Sequence, residues 1–193
     1  MNFGPPPERY TNTAIGLHWL IALIIFSTFC LGLYVSGLPI SPQRLRLIAY
    51  HKWIGVTIFQ LVVLRLIWRL THAAPPLPAT VPAWQHKAAA ASHVLLYLLI
   101  FIIPLSGWIY SSAAGVPVVY LGIVQLPDLI GADKALAAKL KLLHKTLNYT
   151  LAIIVTVHTL AALKHEFVDR DGVLRRMLPF LKTRTQGYRD SGK

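Results

Sequence analysis

Four stretches of this chain are each apolar over about twenty residues, and nothing else in the sequence constrains the fold as tightly. A bilayer hydrocarbon core about 30 Å thick is crossed by about 20 apolar residues in helical form, because a helix satisfies its backbone hydrogen bonds internally. The stretches run over 13–35, 47–70, 92–114 and 140–163. Together they predict an all-α fold, a transmembrane up-and-down four-helix bundle, with 1–193 as a single membrane-embedded domain. Charged residues make up 13% of the chain, where a soluble domain carries about 25%. An ordinary soluble enzyme is therefore excluded. The single cysteine, Cys30, excludes a disulfide scaffold. The net charge of +12 does not indicate nucleic acid, because the cations lie between and beyond the apolar runs rather than along one face.

The first run is too long for the apolar region of a secretory signal and has no small-residue cleavage pattern, so it is expected to remain a membrane helix. Pro104 and Gly107 predict a kink in the third span. The Pro-rich stretch 73–82 reads as an extended connector. The stretch 115–139 runs into ADKALAAKLK (132–141), which predicts a short amphipathic helix at the interface. Trp19, Trp53, Trp68 and Trp108 fall near span ends and read as interface-belt residues. Four spans place both termini on one side. The other side holds Arg44, Arg46, Lys52, Lys134, Lys139, Lys141 and Lys145, and the remaining 12 of the 19 Lys and Arg fall on the terminal side. The positive-inside rule then places both termini in the cytoplasm, with a basic tail over 164–193. The outer side keeps an excess of positive charge against Asp128 and Asp133.

A histidine inside a span is costly and so marks function. His18, His51, His93, His144 and His158 lie in or near the spans, while His72 and His86 flank the connector and read as solvated. His165 falls at the frayed end of span four. His144 and His158 are two heptads apart, about 21 Å along a helix and on one face of a bundle. Two stacked haems require ligands placed in this way. With the spans alternating in direction, His18 matches the depth of His158, and His51 matches that of His144. His93 lies at nearly the depth of His18 and His158, and periodicity does not say which two of these three bind iron. A carbonyl-bonded structural role explains one such histidine more readily than two depth-matched pairs. Zinc fits poorly, since no cysteine or carboxylate joins the histidines. The lack of a Cys-x-x-Cys-His motif means that each haem is held non-covalently, as b-type. Lys52 and Lys145 adjoin the outer histidines and are placed either to meet haem propionates or to snorkel to headgroups. Gly55, one turn from His51, either admits a macrocycle or packs helices closely. His93 is left as the spare histidine at the inner depth.

The stretches AIGLHWLIAL, LIAYHKWIGV, SHVLLYLLIFIIPLSGW, RLIWRLTHAAPPLP and LLHKTLNYTLAIIVTVHTLAALKHEFVDRDGVLRRMLP together cover most of the chain. In them the sequence resembles the bacterial cytochrome b-561 family of four-helix, dihaem, superoxide oxidase-like membrane cytochromes. The resemblance implies His18, His51, His144 and His158 as the axial ligands of two haems b. It also implies a bacterial inner membrane and electron exchange with ubiquinone, for which the spare His93 is the candidate contact, and in one type the oxidation of superoxide to dioxygen. A basic outer face would steer a small anion such as superoxide and an acidic periplasmic redox protein equally well. Two functions therefore compete: a superoxide:ubiquinone oxidoreductase, and a non-enzymatic cytochrome b subunit serving a separate dehydrogenase or periplasmic partner. A transporter with histidine proton relays is disfavoured, because no Asp or Glu lies in any span.

Overall fold

The computed structural model describes residues 9–78 and 80–178. Its four long helices are α1 (Asn12–Gly37), α2 (Pro42–Thr71), α3 (Ala83–Ala113) and α4 (Lys134–Lys164). All four are long and apolar enough to cross a membrane. Their starts follow from local chemistry. The Thr11 hydroxyl accepts from Ala14 N at 3.2 Å, and the Ser41 hydroxyl accepts from Arg44 N at 3.2 Å, with Pro42 at the first helical position. Asp133 accepts from Ala135 N at 2.8 Å and Leu136 N at 3.0 Å. That cap explains one departure from the sequence reading. ADKALAAKLK forms no separate interfacial helix; from Lys134 onward it is the opening of α4, unbroken into the fourth apolar stretch. Similarly, α3 begins at Ala83 and runs unbroken past Pro104 to Ala113.

Consecutive helices pack against one another, α1 on α2, α2 on α3 and α3 on α4, as short connections require. Two apolar clusters fill the middle of the bundle. Ile21, Ile58 and Val62 form one, and Leu99, Ile103 and Leu151 form the other; Ile25 and Ile100 touch both. On α4, Leu151 is seven residues from both His144 and His158, so the apolar layer it belongs to separates the two histidine levels.

The connection from α3 to α4 folds into a hairpin, β1 (Val119–Tyr120) with β2 (Val124–Gln125). Its turn uses Leu121 and Gly122 at φ 53° and 73°, the left-handed region that glycine reaches without strain. The hairpin lies along α2. Trp53 Nε1 donates to Val119 O at 2.5 Å, the Thr57 and Tyr120 hydroxyls are 3.0 Å apart, and Lys52 Nζ donates to Val116 O at 3.0 Å.

Arg9 and Leu178 meet at the end of the bundle opposite the hairpin, where Arg9 donates to Leu178 O at 3.1 Å; the hairpin end is labelled outer and this end inner. A π-helical turn (His165–Asp169) and a 3-10 turn (Leu174–Met177) carry the chain back over this end. Trp19 Nε1 donates to Met177 O at 2.7 Å, and Arg176 donates to Pro76 O of the connector. The first part of the expected basic tail is thus tied to α1 and to the connector. The rest, 179–193, lies outside the described residues. The four belt tryptophans also tie the fold together, since Trp19, Trp53, Trp68 and Trp108 each donate Nε1 to a carbonyl or hydroxyl.

Candidate functional site

The helices bring the intramembrane histidines together at two levels. At the outer level His51 of α2 faces His144 of α4, with ring centroids 6.4 Å apart and planes at 84°. At the inner level His18 of α1 faces His158 of α4 at 6.5 Å and 68°. His93 of α3 approaches the same His158 at 5.5 Å. Two imidazoles bound through nitrogen at about 2.0 Å on opposite sides of one metal have centroids about 6.3 Å apart. The His51–His144 and His18–His158 spacings match that figure, and His93–His158 is shorter. His51, His144, His18 and His158 are half-buried, whereas His93 is exposed on the bundle surface.

The outer pair is held by features the sequence reading missed. A Cβ at Gly32 of α1 would lie 3.1 Å from His51 Cε1, and one at Gly107 of α3 would lie 3.1 Å from His144 Cε1. Each ring therefore rests on a bare stretch of helix backbone. Gly55, singled out in the sequence, has nothing within 4 Å of its Cβ direction. Open space adjoins it, not a close helix contact. Ser106 Oγ donates to Ile103 O at 2.7 Å and lies 2.8 Å from His144 Nδ1. Its one proton is already used, so the hydroxyl accepts from His144 Nδ1–H. The Nε2 lone pair of His144 is then free to bind a metal. The His51 ring interacts with the Thr28 backbone carbonyl, although Nδ1 is buried without a hydrogen bond of ordinary geometry.

The remaining sequence candidates fall around these levels. Lys52 is held by the Val116 and Pro117 carbonyls of the outer connection, and Lys145 Nζ sits 5.9 Å from the Tyr149 ring centroid. His165 Nδ1 is 2.6 Å from Asp171 Oδ2, and Asp169 pairs with Lys164 at 2.5 Å, so His165 belongs to the inner return and not to either imidazole pair. His72 stacks on Trp68 at 3.9 Å and stays exposed. A Ser-Gly dipeptide inside the apolar run IIPLSGW was the one available hint of the outer cradle.

The residues present fit a planar metal macrocycle at each level: opposed imidazoles at ligating distance, glycine backbone beneath the outer rings, and a fixed tautomer at His144. Fold and site together define a four-helix membrane bundle of the cytochrome b type. A family model described as prokaryotic cytochrome b561 matches residues 9–180. Cytochrome b561 homolog 2 of Escherichia coli (strain K12) is 36% identical over 186 residues, covering 92% of this chain and 95% of the relative. Cytochrome b561 homolog 1 of the same organism is 29% identical over 176 residues, covering 89% and 98%. A probable superoxide oxidase CybB of Yersinia pestis is 26% identical over 172 residues, covering 89% and 97%. The chain belongs to the prokaryotic cytochrome b561 family. It is a bacterial membrane electron-transfer protein, and its family implies haem b.

Proposed function

We propose that the chain passes electrons between the periplasmic face and ubiquinone through two haems b, with His51 and His144 as the outer axial ligands and His18 and His158 as the inner ones. The observation that carries this reading is the near-equal spacing of the two pairs, 6.4 and 6.5 Å, two heptads apart on α4. Haem b, when bound, supplies a one-electron couple at each level. The protein's part is to fix the ligands. Ser106 holds the His144 ring in one tautomer, while Gly32 and Gly107 let the outer rings seat against helix backbone.

Both termini lie in the cytoplasm in this reading, so the hairpin and the cations Arg44, Arg46, Lys139 and Lys141 face the periplasm. Those cations raise the local concentration of a small anion. The donor we favour is superoxide, two of which yield two dioxygen and the two electrons that reduce one ubiquinone. The two protons of the quinol come from the inner side. His93 is exposed at the inner level beside His158, so a quinone headgroup diffusing in the bilayer reaches it, and its imidazole donates to a quinone carbonyl.

Purified protein in nanodiscs, supplied with superoxide and a soluble ubiquinone, tests this reading. Stoichiometric quinol formation, two superoxide consumed per quinol, supports it. Haem that is reduced only by a periplasmic redox protein, with superoxide unreactive, would instead establish the non-enzymatic electron-transfer subunit.

A further inference from the structure

We propose that Arg65 and Arg69 of α2 hold the propionate carboxylates of the inner haem. This rests on the dihaem reading above and assigns a new role within it. The two arginines are one turn apart on the same face of α2. Arg65 NH1 donates to Ala14 O at 2.8 Å. Ala14 precedes His18 by four residues, so the guanidinium sits about 6 Å, one helical turn, to the inner side of that ligand. Propionates of a macrocycle ligated by His18 and pointing toward the inner surface reach this level. Arg65 and Arg69 also line one cavity with Tyr10, Thr11, Trp68 and Tyr97. Arg65 lies near both His18 and His93, and Arg69 lies near His93.

These cations lack a counterion among the described residues. The described acids at the inner end are already engaged: Glu166 with Arg175, Asp169 with Lys164, and Asp171 with His165. Asp128 and Asp133 belong to the outer connection. A guanidinium at the edge of a span is costly unless it meets an anion. Its planar fork matches a carboxylate in two parallel hydrogen bonds. Haem b brings two carboxylates, and two arginines wait at the depth where they would arrive. Arg65 gives one of its five N–H groups to Ala14 O and keeps a fork for a carboxylate, whereas at the outer level the Lys52 ammonium is shared between two loop carbonyls and Lys145 lies over Tyr149. A lipid phosphate offers similar anionic oxygens, so the test must tell the two sources apart.

The test uses the full-length haem-loaded protein in nanodiscs, as wild type, Arg65→Gln, Arg69→Gln and Arg65→Lys. Haem content comes from the pyridine haemochrome, propionate hydrogen bonding from resonance Raman bending modes, and potentials from a redox titration. The glutamine variants should keep two haems per chain, shift the propionate band of one haem, and lower the midpoint of that haem alone, since a cation that opposes its oxidised form is gone. Arg65→Lys keeps the charge but not the fork, so it should shift the band with little change in midpoint. That variant also serves if Arg65→Gln does not hold haem. Unchanged propionate bands in all three variants, with two haems still bound, would overturn the proposal. Bands that respond to exchanging anionic for zwitterionic lipid, and not to the substitutions, would overturn it in favour of a phosphate. A wild type without haem would instead sink the dihaem reading beneath it.

Discussion

The outer and inner histidine levels share a spacing but differ in construction. At the outer level two histidines stand alone, each against a glycine, and a serine fixes one tautomer. Three histidines crowd the inner level beside two arginines, with one ring exposed to the surface. The outer level is built to hold a ligand pair rigidly. The inner level has a ring and charges to spare, as the quinone exchange proposed for that end requires. In chemical terms, two layers of similar geometry are specialised by what surrounds the imidazoles and not by the imidazoles themselves.

The largest expected effect separates the three inner rings. His158→Ala should remove one haem per chain and leave the outer one, whereas His93→Leu should keep both haems and lose quinone reduction. Visible spectra and quinol formation, measured on the same samples, check both halves. If His93→Leu lost a haem while His158→Ala kept two, the inner pairing would be wrong.

Next in size is the glycine cradle. Gly107→Leu drives a side chain into the His144 ring, where even a Cβ would stand at 3.1 Å. Overpacking of this kind typically costs about 1–3 kcal/mol. Outer-haem occupancy should fall steeply with the inner haem intact, as read from haem content and EPR. Equal loss at both levels would mean that the glycine serves the bundle as a whole.

Ser106→Ala is gentler. His144 keeps its position but loses the acceptor for Nδ1–H, and losing an outer-shell partner of this sort typically costs about 10–100-fold in metal affinity. A haem-transfer assay to apomyoglobin should show faster loss from one site only. The smallest effect belongs to the outer cations. Lys139→Gln with Lys141→Gln should slow superoxide consumption several-fold at low salt and converge with wild type as the Debye length falls below about 8 Å. Rates indifferent to salt and to both lysines would remove anion steering from that face.

Much of this architecture was legible in the sequence because it depends on periodicity. Helix length fixed the spans, and the heptad spacing of His144 and His158 placed two levels on one face. Periodicity fixes depth and face but not distance across the bundle. The sequence therefore left His18 and His93 equivalent toward His158, where the structure separates them by 1.0 Å in centroid distance, 6.5 against 5.5 Å. Gly32 escaped notice and Gly107 was read only with Pro104 as a kink, because the rings they cradle come from other helices. Gly55 drew attention only through its nearness in sequence to His51. The amphipathic pattern of ADKALAAKLK was real, but the Asp133 cap and the absence of any helix breaker after it carry the segment into α4.

The central claim is that each chain carries two b haems, each between two imidazoles. Its most direct test is the pyridine haemochrome ratio per chain combined with low-temperature EPR of the oxidised protein, for wild type and for His144→Ala. The expected result is two haems with two low-spin signals in the wild type, and one haem with the inner low-spin signal retained in the variant. One haem per wild-type chain, or a variant that keeps both low-spin signals, would contradict it.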